Sequence, residues 1–233
     1  MMRSLVGAAL GAAILVVGCI EGSLQGSGGE SALDAGTAGD ARAMVPPTGD
    51  GGPVTEAGDG PIDERMPPGT VVIQTSLGEI TLALDSQRAP NTVANFMAYV
   101  DEGFFDGDDG MGATTFHRVI SGFMIQGGGV KVDGILKPTR APIAHEGNIG
   151  IANARGTVAM ARTVEADSAT SQFFINHADN AALNFVSPEQ PGYVAFGRVT
   201  AGMDTVDAIA AVATNEMDVP MMPVLIEDVR RGP

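Results

Sequence analysis

At Thr70 the chain changes character, and that break constrains what can fold. Between Ile20 and Gly69 the residues are mostly Gly, Ser, Ala, Asp, Thr and Pro, as in Gly26-Ser27-Gly28-Gly29 and Thr48-Gly49-Asp50-Gly51-Gly52-Pro53. Large apolar side chains are sparse there and follow no period. Such a run cannot bury enough surface to offset the entropy of ordering it, so residues 19–69 read as a disordered tether. A Gly/Ser-like coil of about fifty residues has a root-mean-square reach of roughly 40 Å, and its acidic residues extend it further. A folded domain is expected over 70–233.

From Thr70 the apolar residues take up regular periods. Val71-Val72-Ile73-Gln74-Thr75 and Glu79-Ile80-Thr81-Leu82-Ala83-Leu84 flank Ser76-Leu77-Gly78, which predicts a β-hairpin. Val93, Phe96, Met97 and Val100 recur at helical spacing after Pro90, with Gly103 as a stop, which predicts an amphipathic helix over 90–100. Short β-rich runs separated by glycine-rich loops follow. A second helix is expected near Met203 to Val212, and a last strand over Val224 to Val229. The pattern points to a mainly β domain, a barrel with helical lids.

The first residues read as an address. Arg3 precedes an uncharged run from Leu5 to Val17 that is too short to span a bilayer, which needs ~20 residues. It ends in Val16-Val17-Gly18-Cys19, and Cys19 is the sole cysteine of the 233 residues, so no disulfide can form within the chain. Small and aliphatic residues running into a cysteine resemble a bacterial lipobox. The resemblance implies a lipoprotein signal peptide over 1–18, cleavage before Cys19 and acylation of that residue, which anchors the protein to a membrane. Ile20 is not the Asp that marks inner-membrane retention. The expected location is therefore a bacterial membrane, on its periplasmic or extracellular face, and the outer membrane where there are two.

Four ordered blocks carry a second resemblance. They are Thr115-Phe116-His117-Arg118-Val119-Ile120-Ser121-Gly122-Phe123-Met124-Ile125-Gln126-Gly127-Gly128-Gly129, Gly156 to Thr163, Ser168 to Asn176, and Gly192 to Val199 leading into Gly202-Met203-Asp204. Together these resemble the cyclophilins, and Ala161-Arg162-Thr163 with Asp167-Ser168-Ala169-Thr170 resembles the bacterial branch. The resemblance spans Val71 to Val229. It implies a closed eight-stranded antiparallel β-barrel capped by two α-helices, with peptidyl-prolyl cis-trans isomerase activity that assists the folding of exported proteins.

The chemistry is rotation about an amide. The barrier is ~18–20 kcal/mol because rotation breaks resonance, and uncatalysed X–Pro exchange takes tens of seconds or longer. A catalyst must favour the twisted amide over both planar forms. In the twisted form the prolyl nitrogen regains its lone pair and accepts a hydrogen bond better. Arg118 matches the family's catalytic arginine, a planar and permanently charged donor. By the same resemblance Phe123, Met124, Phe174 and Leu183 form the proline pocket, with Tyr193 at its rim. Gln126 and Gln172 are the polar contacts beside it, Gln126 placed to hold the substrate carbonyl or to orient Arg118. Ala161, Arg162 and Thr163 form the strip that takes the residues before proline through backbone groups. Phe173 is expected to be ordinary core, and His117 structural.

Other readings fare worse. A net charge of −15 repels phosphate backbones, so nucleic acid is not an expected partner. The three histidines, His117, His145 and His177, have no paired-ligand spacing, so neither metal nor other cofactor is expected. Asp106-Gly107-Asp108-Asp109-Gly110 hints at a calcium loop but has His117 where an EF-hand needs its twelfth, acidic residue, so an exposed acidic turn that steers access to the site is expected. No Gly-x-Ser-x-Gly elbow signals a hydrolase. Ser121 replaces a proline frequent in the motif. Ala182 stands where many cyclophilins carry Trp or Phe, so weak cyclosporin binding is expected. The partners expected are proline-containing polypeptides and, through the lipid, a membrane, with the domain a monomer. The alternative function is a tethered module that binds proline segments with little turnover, favoured by Ala182 and the long tether.

Overall fold

The computed structural model describes residues 69–232. The expected signal peptide (1–18), Cys19 and all but the last residue of the expected tether (19–69) lie outside the described residues. The described part forms eight strands and two helices: β1 (Thr70–Thr75), β2 (Gly78–Leu84), α1 (Pro90–Asp101), β3 (Thr114–Ile120), β4 (Met124–Lys131), β5 (Thr157–Met160), β6 (Phe173–Asn176), β7 (Ala195–Ala201), α2 (Met203–Ala210) and β8 (Ile226–Arg231).

The predicted hairpin is β1 against β2, with Thr70 opposite Ala83 and Thr75 opposite Gly78. Gly78 takes φ 137°, and a side chain there would strike Thr205, so glycine is required for the turn. All pairings are antiparallel, in the order β3-β4-β6-β5-β7-β2-β1-β8. The sheet closes where Thr115 bridges Leu225 and Phe116 N–H donates to the Val224 carbonyl at 2.9 Å. Closure leaves no open edge to aggregate.

The last strand differs from its prediction. Val224 and Leu225 are apolar and read as strand, yet the continuous strand runs Ile226–Arg231. Its residues pair with β1, with a register shift at Gln74/Thr75, while Val224 and Leu225 turn to meet β3. Hydrophobicity located the segment, but the neighbour chosen by each residue set its bounds.

Inside the barrel, alternate residues pack one core. Phe96 of α1 sits at its centre, with ring centroids 5.3 Å from Phe105, 5.4 Å from Phe173 and 5.3 Å from Phe196. Tilted and edge-on pairs of this kind add to the burial of each ring. Val206 and Ile209 of α2 are buried in the same core. The start of α1 is capped from far away: Glu146 accepts from the Asn91 and Thr92 backbone N–H groups, both at 2.9 Å. A carboxylate here satisfies otherwise orphaned donors and complements the helix dipole.

The acidic turn departs in part from its prediction. Asp108 is exposed as expected, but the other two carboxylates are engaged within the fold. Asp106 accepts from the Val229 N–H at 2.9 Å, and Asp109 pairs with the buried ammonium of Lys137 at 2.8 Å. That ammonium also donates to the Phe104 carbonyl at 2.6 Å and the Gly112 carbonyl at 2.8 Å, and lies over the Phe104 ring. The loop's converging oxygens thus hold a lysine.

Candidate active site

One β-bulge explains how the site comes to lie on the outside of the barrel. On β3, Phe116 and Val119 both belong to the inner core, which strict alternation would forbid for residues three apart. The ladder with β4 slips between them: Phe116 faces Gly127 while Arg118 faces Gln126, so His117 is the extra residue. Bulges of this kind re-aim side chains beside active sites.

From Arg118 a single row crosses the sheet. Arg118 is opposite Gln126, Gln126 opposite Phe174, Phe174 opposite Ala159, and Ala159 opposite Ala195. Directly opposed residues share a face. The alternate residues of the same strands, Ile125, Phe173, Ile175, Val158 and Phe196, all lie in the inner core. A second, smaller apolar cluster forms on the outer face from Phe123, Met124, Ala159, Ala161, Phe174, Leu183 and Ala195, with Tyr193 packed against it. All four predicted pocket residues meet there, and Phe173 belongs to the inner core as expected. Ala159 and Ala195 were not singled out from the sequence; their small side chains lie beyond Phe174 in the row.

Hydrogen bonds orient the polar members. Gln126 Nε2 donates to Gln172 Oε1 at 2.8 Å, which leaves Gln126 Oε1 buried with no hydrogen-bond partner. This arrangement fits acceptance of a peptide N–H better than the predicted contact with a substrate carbonyl. Arg118 is buried, and its Nε lies 3.5 Å from Asp218 Oδ2. Arg162 stacks over Tyr193 with its guanidinium carbon 4.7 Å from the ring centroid, and donates to the carbonyls of Gly192 and Thr163, each at 2.8 Å. Its side chain therefore braces the rim. On the strip it flanks, Ala161 N–H donates to the Gln172 carbonyl at 2.9 Å, and Thr163 N–H to Ser168 Oγ at 2.8 Å. Tyr193 meets Phe174 edge-on at 5.6 Å, and burial raises the pKa of its phenol. Ala182 is exposed next to Leu183.

Three buried asparagines that the sequence reading missed hold the pocket's backbone. Asn153 Nδ2 donates to the carbonyls of Leu183 at 3.1 Å and Tyr193 at 3.0 Å. Asn176 Nδ2 donates to Asn153 Oδ1 at 3.2 Å, and Asn180 Nδ2 donates to Asn176 Oδ1 at 2.7 Å and to the Phe123 carbonyl at 2.8 Å. His177 adds a strut, accepting the Gly122 N–H at Nδ1 at 2.9 Å. Phe123, Leu183 and Tyr193 are thus fixed by one network, although they are distant in sequence.

His117, the bulged residue, is buried with neither ring nitrogen hydrogen-bonded. Burial lowers its pKa to about 4, and the nearby Arg118 charge adds to that shift. The ring is therefore neutral at pH 7.

A closed barrel carrying a cation, two amides and an apolar notch on its outer face defines a peptide-binding barrel. Residues 70–231 match the family described as cyclophilin type peptidyl-prolyl cis-trans isomerase/CLD. The chain belongs to the cyclophilin-type peptidyl-prolyl cis-trans isomerases. It is 52% identical over 167 residues to the peptidyl-prolyl cis-trans isomerase cyp18 of Streptomyces antibioticus, covering 69% of this chain and 97% of that one. It is 47% identical over 165 residues to peptidyl-prolyl cis-trans isomerase B of Escherichia coli K12, covering 68% and 97%. A cyclophilin-type isomerase of Cryptosporidium parvum, solved in the presence of the dipeptide Ala-Pro, superposes with a TM-score of 0.58 at 25% identity, covering 70% of this chain and 99% of that one.

Proposed function

We propose that this isomerase turns X–Pro bonds in exported polypeptides while tethered to a bacterial membrane by a lipid on Cys19. The observation that carries the catalytic part is the row Arg118–Gln126–Phe174, which sets a planar cation beside an apolar notch on one face of the sheet. The proline ring enters the notch formed by Phe123, Met124, Phe174 and Leu183. The residues before it lie along Ala161, Arg162 and Thr163, and Gln126 Oε1 accepts a backbone N–H of the peptide. Arg118 donates to the prolyl nitrogen as that atom becomes pyramidal. A donor that binds the twisted amide more tightly than the planar one speeds rotation about tenfold for each 1.36 kcal/mol of preference. No bond is made or cleaved, so the chemistry requires neither base nor nucleophile. The exposed Ala182 provides no aromatic wall, which supports weak cyclosporin binding; a titration giving nanomolar affinity would contradict that part. The lipobox-like Val16-Val17-Gly18-Cys19 and the tether support the membrane placement.

The direct test is NMR exchange spectroscopy on an Ala-Pro peptide. Wild-type protein is expected to accelerate exchange and Arg118→Ala to lose most of that acceleration. Equal exchange with both proteins would reject the role of Arg118.

A further inference from the structure

We propose that Asp218 is a positioning residue for catalysis, holding the Arg118 guanidinium by its Nε edge. The proposal rests on the isomerase reading and on Arg118 as the donor to the prolyl nitrogen. Asp218 lies 100 residues further along the chain, in the connection between α2 and β8, yet it is fastened to two successive residues of β3. Its carbonyl accepts the Val119 N–H at 2.8 Å, and its carboxylate lies 3.5 Å from Arg118 Nε. That separation is long for a hydrogen bond but within ion-pair range, so the contact restrains the guanidinium while leaving it room to follow a rotating amide.

The loop is built to present this residue. Asp218 is the one non-glycine residue with positive φ among the described residues, at 63°. A left-handed conformation is uncommon for a side-chain-bearing residue, Asp and Asn being the usual exceptions, and it is held in place by local contacts. Here Asn215 enforces it. Its Oδ1 accepts from Met217 N–H at 2.9 Å and Val219 N–H at 3.1 Å, and its carbonyl accepts from Asp218 N–H at 3.0 Å. Thr214 bridges Pro220 across the same turn. A rigid turn therefore delivers one carboxylate to the edge of the arginine, on the side away from Gln126 in strand order.

The test uses Asp218→Asn and Asp218→Gly, both of which tolerate the left-handed backbone, so the turn should survive the loss of charge. In exchange experiments on an Ala-Pro peptide each should lower kcat about tenfold and leave KM within about twofold, as expected when a catalytic group is bound but misplaced. In an Arg118→Ala background the same changes should cost nothing further. In wild-type protein, the Arg118 Nε–Hε NMR signal should be slow to exchange with solvent, and it should shift and exchange faster in both variants. An unchanged kcat in the Asp218 variants, or the same loss of rate with and without Arg118, would overturn the proposal while leaving the isomerase reading standing. A wild-type protein that fails to accelerate exchange, with its Nε–Hε signal protected, would overturn the isomerase reading and the positioning role with it.

Discussion

At the scale of single residues, the bulge at His117 has a thermodynamic signature. A histidine in the unfolded chain titrates near 6.5, whereas the buried ring takes up its proton only at about 4. Between these values the unfolded state binds more protons, so stability is unaffected above pH 6.5 and falls as pH drops toward 4. The shift corresponds to roughly 3 kcal/mol in full, most of it spent by pH 4.5. His117→Gln should remove this arm of the profile, seen by urea unfolding at pH 7 and pH 4.5. An unchanged pH slope in the variant would show that other groups carry it. The neutral ring also explains how His117 can sit beside Arg118 without a second buried positive charge.

At the scale of elements, the site depends on a break in the alternation of β3 and on long-range amide bonds. The hairpin and both helices were legible in the sequence because strands and helices impose periods; Phe174 in the pocket and Phe173 in the core were legible only through the family resemblance, and the two neighbours do face opposite sides of β6. The slip at Phe116–Arg118 was not legible, since a bulge is decided by the partner strand. Nor was the role of Asn153, Asn176 and Asn180, whose donors reach carbonyls up to 57 residues away. A polar side chain in a loop has no period to betray its partner. Lys137 was hidden for the same reason, with its acceptors between 25 and 33 residues upstream. The asparagine network makes its own prediction. Removing one buried amide leaves other groups unsatisfied at about 1–3 kcal/mol each. Asn153→Ala should therefore lower stability by that order and raise KM for a prolyl peptide more than it lowers kcat, because it frees the Leu183 and Tyr193 backbone. Calorimetry and steady-state exchange kinetics check the two parts; an unchanged KM would show that the pocket does not rely on this network.

At the scale of the whole molecule, composition alone reads the segment before the folded domain as a tether. The family match begins at residue 70, where the sequence changes character. If Cys19 is acylated, full-length protein expressed in a bacterium should partition with membranes and yield a mature N-terminus beginning at lipid-modified Cys19 by mass spectrometry. Cys19→Ser should release it to the soluble fraction with isomerase activity unchanged. A mature N-terminus elsewhere would remove the anchor without touching the catalytic account.

That account depends on a planar cation favouring the half-rotated amide, and Arg118→Lys separates this from simple charge. Lysine keeps the positive charge but replaces the flat, fixed fork with a point charge on a flexible stem. Line-shape analysis of a titrated Ala-Pro peptide yields both the affinity and the rate of rotation while bound. The prediction is a bound-state rotation at least about tenfold slower with peptide affinity within about twofold of wild type. Weakened affinity with undiminished rotation on the protein would contradict it.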